Sequence, residues 1–281
     1  MKLFIALLLV CNCCFAQKII VKDQQGKALE NVSVYALAEQ NNLIGITSAS
    51  GESNLLNSAS ATYLFHLVGY TDVILTASAL EQKQGVVLLS QVIIPLKEVT
   101  ISKKSGKLRS KKIAYKPRVN YLWGFPNNFK TTIDKVIAVA ISEAGYVKQF
   151  TLSIRNENKQ RHRSFQLVIF ENSNGKPGKS LMSETVIGEL IGTKMVFTLT
   201  PLNMYLADGH YFFGFETIPS QYFDQEEAKK MQKGAWVGAT IQIKCRADET
   251  QNSYIRSNLK AWNRIKIAMQ YELELLIPAV N

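Results

Sequence analysis

The segment VTISKKSGKLRSKKIAYKPRVNYLWGFPNNFKTTI, residues 99–133, divides this sequence of 281 residues into two halves. It contains nine basic residues and no Asp or Glu, and residues 102–118 mix Lys, Ser, Gly and Pro with few side chains that fill a core. This composition is typical of an exposed connector. Short runs of alternating apolar and polar residues lie on both sides, so the sequence predicts two strand-rich domains joined by a basic linker and aromatic segment over residues 103–133.

The positive charge of the chain is concentrated in this linker. The chain has 33 Lys and Arg residues against 22 Asp and Glu residues, a formal net charge of +11. Lys2 and the nine basic residues of the segment account for all but about +1 of that charge. The two folded halves are therefore expected to be nearly neutral.

The basic linker has two interpretations. The first is a solvated hinge, because runs of like charge usually stay exposed. The second is contact with an anionic membrane surface, where each basic residue contributes up to about 1 kcal/mol and salt screens the attraction. The residues that would make this contact are Lys103, Lys104, Lys107, Arg109, Lys111, Lys112, Lys116 and Arg118. Nucleic acid is not expected as a partner, because stacking aromatics and recognition motifs are missing from the run.

Residues 1–16 have the pattern of a secretory signal peptide. Lys2 is the basic start, residues 3–10 are apolar, and Ala16 is a small residue before the expected cleavage point. No later stretch reaches the ~18 apolar residues of a membrane-spanning helix. We therefore expect export to the periplasm, to association with the outer membrane, or to the extracellular space.

The cysteines raise a second possibility for this leader. Cys11, Cys13 and Cys14 leave a lipoprotein site open as an alternative, although the residues before them are not the small ones that such sites prefer. After cleavage Cys245 is the only thiol, so no intramolecular disulfide is expected. Cys245 lies in an alternating run, which predicts a small buried thiol and not a nucleophile.

The first half has the pattern of an all-β sandwich. Gly and Asn signals near residues 24–27, 39–42 and 50–52 separate short apolar runs at intervals of about 10 residues, and helical periodicity is absent. The predicted strands are residues 18–22, 32–38, 43–47, 62–68, 71–75, 86–89 and 98–101.

The order of these pieces resembles the carboxypeptidase regulatory-like domain, a small transthyretin-like β-sandwich. The residues that carry the resemblance are IVKD (20–23), GKAL (26–29), VSV (32–34), GIT (45–47) with Gly51, HLVGY (66–70) and LKEVTI (96–101). The resemblance implies this fold over residues 17–102. It also implies a non-catalytic accessory role, as in secreted enzymes, in extensions of TonB-dependent outer-membrane receptors, or in stand-alone envelope proteins.

Two features limit what the resemblance implies. Ser48 and Ser53 replace the acidic and aromatic residues that the family tends to carry, which argues against a cation at this turn. The rest of the chain also lacks the His and Glu spacing of a zinc carboxypeptidase, so no peptidase activity is expected.

The second half, residues 134–281, predicts a longer β-sandwich of the jelly-roll type. Phe150, Leu152 and Ile154 alternate with polar residues, as in a strand with one buried face. A short helix is predicted at 225–233. Residues 170–181 and 206–216 are similar to a jelly-roll module of secreted proteins that often lies beside glycan-binding domains. The predicted strands are residues 136–141, 148–154, 165–170, 195–199, 211–216, 237–244, 264–269 and 272–276.

Five aromatic residues are candidates for ligand binding. Flat rings beside Gly, Pro or a concave sheet stack on sugars or peptides, although burial in the core is the alternative for each. These candidates are Tyr121, Trp123, Phe125, Trp236 and Trp262.

Reactive groups form no recognisable motif. His66, His162 and His210 lie in separate segments without metal-ligand spacing, so no metal or other cofactor is expected. No Ser lies in a G-x-S-x-G elbow. A hydrolytic carboxylate pair stays open as an alternative, because two such acids come from distant positions. The acids to consider are Glu171, Glu184, Glu216 and Asp224.

These observations predict an exported, all-β, two-domain protein of the bacterial envelope. The function that fits best is non-catalytic binding or scaffolding, with an envelope protein, a glycan or an anionic membrane as the partner. A glycan-binding module and a hydrolase with a carboxylate pair in the second sandwich are the alternatives.

Overall fold

A computed structural model describes residues 18–37, 41–55, 62–93, 107–124, 131–156, 163–219 and 241–279. The chain divides into two compact units. The first comprises Met1–Leu67 and Thr71–Ser90, and the second comprises Val68–Tyr70 and Gln91–Asn281. Strands dominate both units, so the all-β prediction is confirmed.

The first unit contains two sheets, with strand orders β4-β1-β7 and β3-β2-β5-β6. Its elements are β1 (Lys18–Asp23), β2 (Ser33–Ala36), β3 (Asn42–Ile46), β4 (Glu52–Asn54), β5 (Thr62–His66), β6 (Val73–Thr76), α1 (Ala77–Gln82) and β7 (Val86–Leu89). Ile19 and Val21 of one sheet and Tyr35 and Phe65 of the other are completely buried. Burial alternates along β1, as the apolar alternation predicts, whereas all four residues of β2 are buried.

Two local features of the first unit depend on single residues. Gly51 has φ +75°, and a Cβ there would lie 2.5 Å from the carbonyl oxygen of Val21, so the turn needs glycine. The sequence pattern of this half, which has no helical periodicity, did not indicate α1. Its six residues are too few to show helical periodicity, and the helix begins where the Thr76 hydroxyl accepts a hydrogen bond from the backbone N–H of Ala79.

The second unit contains a six-stranded sheet of order β13-β12-β17-β10-β19-β20 and a nine-stranded sheet. The nine-stranded sheet has the path β14-β15-β11-β18-β21, and β8, β9, β16 and β22 pair with its members. The strands are β8 (Leu108–Tyr115), β9 (Tyr121–Gly124), β10 (Ile133–Ile141), β11 (Gly145–Asn156), β12 (Arg163–Ser173), β13 (Lys176–Ser180), β14 (Glu189–Ile191), β15 (Lys194–Thr198), β16 (Tyr205–Leu206), β17 (Gly209–Pro219), β18 (Ile241–Ala247), β19 (Ser253–Ser257), β20 (Asn263–Ile265), β21 (Ile267–Met269) and β22 (Tyr271–Pro278), with a 3-10 turn at Thr200–Leu202.

One hydrophobic core joins the two sheets of the second unit. Phe150, Leu152 and Ile154 are completely buried, as their alternation predicts. The ring of Phe150 in β11 lies 5.4 Å from that of Phe213 in β17, centroid to centroid, so the two sheets contact each other through aromatic side chains. The predicted helix at 225–233 lies outside the described residues.

Residues 108–115 and 121–124 of the predicted linker form strands and are not an exposed connector. Strand β8 pairs antiparallel with β22 over eight positions, from Tyr115 opposite Tyr271 to Leu108 opposite Pro278. Strand β9 pairs with β18. Within the described residues of the chain, no helix has the length and apolar character needed to cross a membrane.

Candidate functional site

The basic side chains of β8 are held by acidic side chains from distant parts of the sequence. Arg109 and Lys111 both form ion pairs with Glu143. Lys112 and Lys116 both form ion pairs with Glu272 of β22. Two carboxylates, one from the loop between β10 and β11 and one from β22, thereby hold four basic side chains of this segment.

These contacts change the titration of the acids. Hydrogen bonds from Lys116 and Lys112 lower the pKa of Glu272 to about 2. A hydrogen bond from Lys111 lowers the pKa of Glu143, and one from Lys148 lowers that of Glu274. The carboxylates therefore stay ionised, and the ion pairs persist, well into the acidic range.

The other basic residues predicted to contact an anionic surface do not share these ion pairs. Lys107 and Arg118 are exposed, and their side chains form no ion pair with any residue that the structure describes. Lys103 and Lys104 lie outside the described ranges. Lys107 and Arg118 are thus the described members of the predicted set whose charge is available to an anionic partner.

Two of the five candidate aromatics are described at side-chain level, and both are packed. The ring of Trp123 lies under the amino group of Lys135, with 4.2 Å between Nζ and the ring centroid. The ring of Trp262 lies 4.4 Å from the guanidinium carbon of Arg256 and meets Phe170 edge to face at 5.3 Å. Tyr121 is described only in its backbone, and Phe125 and Trp236 lie outside the described residues.

A buried amine and a buried thiol meet between the two sheets of the second unit. Lys135 of β10 and Cys245 of β18 are both completely buried. The Nζ of Lys135 lies 3.5 Å from the Sγ of Cys245 and donates a hydrogen bond to it. The burial predicted for Cys245 is confirmed, whereas the sequence analysis did not single out Lys135.

Burial acts on both members of this pair in favour of the neutral forms. Loss of solvation lowers the pKa of the Lys135 ammonium group, although Cys245 opposes this shift. Loss of solvation raises the pKa of the Cys245 thiol, although Lys135 and a backbone hydrogen bond from Trp123 oppose it. A neutral amine beside a neutral thiol is the state that a low-dielectric core favours.

A second polar cluster lies on the opposite face of β10. Asp134 is 1% exposed and forms an ion pair with Arg256 of β19. Glu216 of β17, also 1% exposed, is the register partner of Asp134 across the sheet. Gln166 of β12 stands beside Glu216 in the same row and is completely buried, and its side-chain amide has no hydrogen-bond partner among the residues that the structure describes. The row is therefore a polar band across four strands.

The remaining predicted groups are not brought together among the described residues. The Nδ1 of His66 lies 2.6 Å from Asp72 in the first unit, and His210 is exposed in the second. Glu171 and Glu184 are exposed, and only Glu216 is buried. His162 and Asp224 lie outside the described ranges. No group of three potential metal ligands occurs within those ranges.

The residues that sequence reasoning missed are Lys135, Asp134 and Arg256. One weak signal was available, because Asp134 and Lys135 directly precede the apolar run 136–141 and so extend a strand that is buried on both faces. Nothing in the local sequence indicates their partners, which lie 110 and 122 residues away.

Comparisons with known proteins give no family assignment. No family model matches the chain, and no curated protein matches it. Two solved structures with some similarity are those of the major pilin subunit BcpA of Bacillus cereus and of a variant of it. They are 11% and 9% identical to this chain, with TM-scores of 0.21 and 0.20, over 90% of this chain and 67% of the pilin.

Proposed function

We propose that this chain is a non-catalytic binding or scaffolding protein of the bacterial cell envelope. The observation that carries the proposal is the internal use of its charged side chains. Arg109, Lys111 and Lys112 of β8 and the adjacent Lys116 form ion pairs with Glu143 and Glu272, and Arg256 is joined to Asp134. Groups engaged in this way stabilise strand pairing and are not free for chemistry on a substrate.

The packing of the two described tryptophans supports binding through a surface other than these rings. A sugar-binding platform needs an open aromatic face, whereas Trp123 and Trp262 each have the basic side chain of Lys135 or Arg256 over the ring. The expected export signal and the resemblance of the first half to an accessory domain support the envelope as the location. Glycan binding and hydrolysis stay as alternatives that the experiment must distinguish.

The test uses the mature chain and envelope fractions from a Gram-negative bacterium. We expect saturable co-sedimentation with one fraction and no release of reducing sugar from its polysaccharide. Treating the fraction with protease beforehand distinguishes a protein partner, for which binding is lost, from a glycan or lipid partner, for which binding survives.

Two results would contradict the proposal. One is the absence of association with every envelope fraction. The other is sugar release by the wild-type chain that is lost in Glu216→Gln while the circular dichroism spectrum and unfolding midpoint are retained. Glu171→Gln is the matched control, because Glu171 is an exposed acid of the same sheet.

A further inference from the structure

We propose that Lys135 and Cys245 form a modification site, in which a two-electron oxidant such as hydrogen peroxide joins Nζ to Sγ in a covalent cross-link between the two sheets. The inference is independent of the proposed function. It depends on the contact between the two side chains and on where their strands lie.

The geometry selects this pair among the nucleophilic groups that the structure describes. Nζ and Sγ are 3.5 Å apart and already share a hydrogen bond, so no other side chain lies between them. Both residues are completely buried, which restricts the approach of any second thiol or amine from solvent. Cys245 is the free cysteine of the described residues, so an amine and not a second thiol is its available partner.

The chemistry proceeds in two balanced steps. In the first, the Lys135 amine takes the proton of Cys245 and the resulting thiolate attacks peroxide, so that an S–O bond forms, the O–O bond breaks, and the leaving hydroxide takes that proton back from Lys135 as water. The sulfur loses two electrons, the peroxide gains them, and the products are a sulfenic acid and water. In the second, the Lys135 nitrogen attacks that sulfur, so that an N–S bond forms and the S–O bond breaks. The hydroxyl leaves with a proton from nitrogen as a second water, and the protein has lost two hydrogen atoms.

The environment favours the second step over further oxidation. Attack requires the neutral amine, and burial of Lys135 disfavours its charged form. Sulfenic acids otherwise condense with a thiol or are oxidised further. A neighbouring nucleophile held at hydrogen-bond distance reacts as an intramolecular partner, which gives it a high effective concentration.

The cross-link would join two strands of different sheets. Lys135 is paired with Phe215 and Ile255 in the six-stranded sheet, and Cys245 with Met269 and Tyr121 in the nine-stranded sheet. The bond would close a loop of 110 residues of sequence separation, and cross-links that close long loops restrict the unfolded chain most. We therefore expect the oxidised protein to unfold at a higher temperature than the reduced protein.

The experiment uses the full chain with Cys11, Cys13 and Cys14 replaced by Ser, so that Cys245 is the single thiol. The protein is treated with hydrogen peroxide, quenched with catalase, unfolded, alkylated and digested with trypsin. We expect one cross-linked peptide containing Lys135 and Cys245 that lacks two hydrogen atoms, loss of the alkylatable thiol, and recovery of that thiol with dithiothreitol.

Two variants separate this pair from its neighbours. Lys135→Met is expected to abolish the cross-linked peptide, whereas Lys244→Met, next to Cys245 in sequence, is expected to retain it. If Lys135→Met does not fold, peptide mapping of the oxidised wild-type protein identifies the amine that is joined to Cys245. The inference is overturned if Cys245 reaches sulfinic or sulfonic acid while trypsin still cleaves after Lys135. It is also overturned if Cys245 stays an unmodified thiol under peroxide that oxidises the methionines.

Discussion

Asp134 and Lys135 are adjacent in sequence and opposite in charge, yet their side chains leave β10 on opposite faces of the sheet. Asp134 binds Arg256 on one face, and Lys135 contacts Cys245 and Trp123 on the face that meets the nine-stranded sheet. Successive residues of a strand point to opposite sides, so these two cannot neutralise each other. Each has to be accommodated by a partner from a different strand.

Replacement of the buried lysine tests its cost to the fold. Lys135→Met removes an amine that must be desolvated and keeps a side chain of similar length, so we expect the variant to be about 1 kcal/mol more stable than wild type at pH 7. The free energy of unfolding is measured in urea. A loss of more than about 2 kcal/mol would mean that the contact with Cys245 outweighs the desolvation penalty.

The contact between Lys135 and Cys245 also predicts how the stability difference between wild type and Lys135→Met varies with pH. The pKa of Lys135 is lowered by folding, so the unfolded chain binds more protons than the native chain between that pKa and 10.5. The stability contribution of Lys135 therefore rises with pH, and wild type should approach Lys135→Met between about pH 7 and 9. Above pH 9 the raised pKa of Cys245 acts in the opposite direction. A stability difference that is constant over this range would contradict the prediction.

Breaking the ion pair between Asp134 and Arg256 is expected to reduce stability more than replacing Lys135 does. Arg256→Ala leaves the carboxylate of Asp134 buried without its guanidinium partner, and it also removes the cation over Trp262. We expect a loss of about 3–5 kcal/mol in the free energy of unfolding. Arg264→Ala in the adjacent strand β20 is the control, because Arg264 is exposed, and its expected change is within about 0.5 kcal/mol. Equal effects of the two substitutions would refute the structural role of the pair.

The ion pairs of β8 predict sensitivity to acid. Folding lowers the pKa of Glu272 from 4.5 to about 2, so its stabilising contribution is complete above pH 4.5 and is lost as the pH falls towards 2. Because both lysine partners are more than half exposed, solvent screening limits this contribution to about 1 kcal/mol. Glu272→Gln should reduce the loss of stability between pH 4.5 and 2, and high salt should reduce it in wild type. An acid transition unchanged in Glu272→Gln would exclude this role.

A pair of substitutions distinguishes a strand from a linker at residues 108–115. Ile113 is half-buried and packs against the core of the second unit, whereas Leu108 of the same strand is 52% exposed. We expect Ile113→Ala to cost about 1–2 kcal/mol of unfolding free energy and Leu108→Ala to cost less than about 0.5 kcal/mol. In a solvated linker neither substitution would have a measurable effect on thermal or urea unfolding.

Contact with an anionic membrane is tested by comparing the exposed residues Lys107 and Arg118 with basic residues that are paired with Glu272. Lys107→Gln with Arg118→Gln removes two available charges, and Lys112→Gln with Lys116→Gln removes two that are paired with Glu272. Co-sedimentation with anionic vesicles should weaken more in the first double variant, and salt should weaken it in wild type. Binding that is insensitive to salt and to both variants would argue against an electrostatic contact.

The predictions that succeeded concern local patterns, and those that failed concern distant partners. Phe150, Leu152 and Ile154 are buried as predicted, because alternation along one strand is itself the cause of its amphipathic character. Residues 108–115 were assigned to a linker on their charge and composition. The acid that neutralises Lys112 is 160 residues further along the chain, and no local pattern records that proximity.

The amino-acid sequence by itself determined the all-β character, the alternation of buried and exposed residues along the strands, and the buried state of Cys245. These properties depend on the period of side-chain direction along a strand, which neighbouring residues express. Only the tertiary structure decided that the basic segment pairs with the last strand and that Lys135 lies against Cys245. Both contacts arise when sheets assemble from strands more than 100 residues apart, so they depend on which strands become neighbours and not on the residues beside each one.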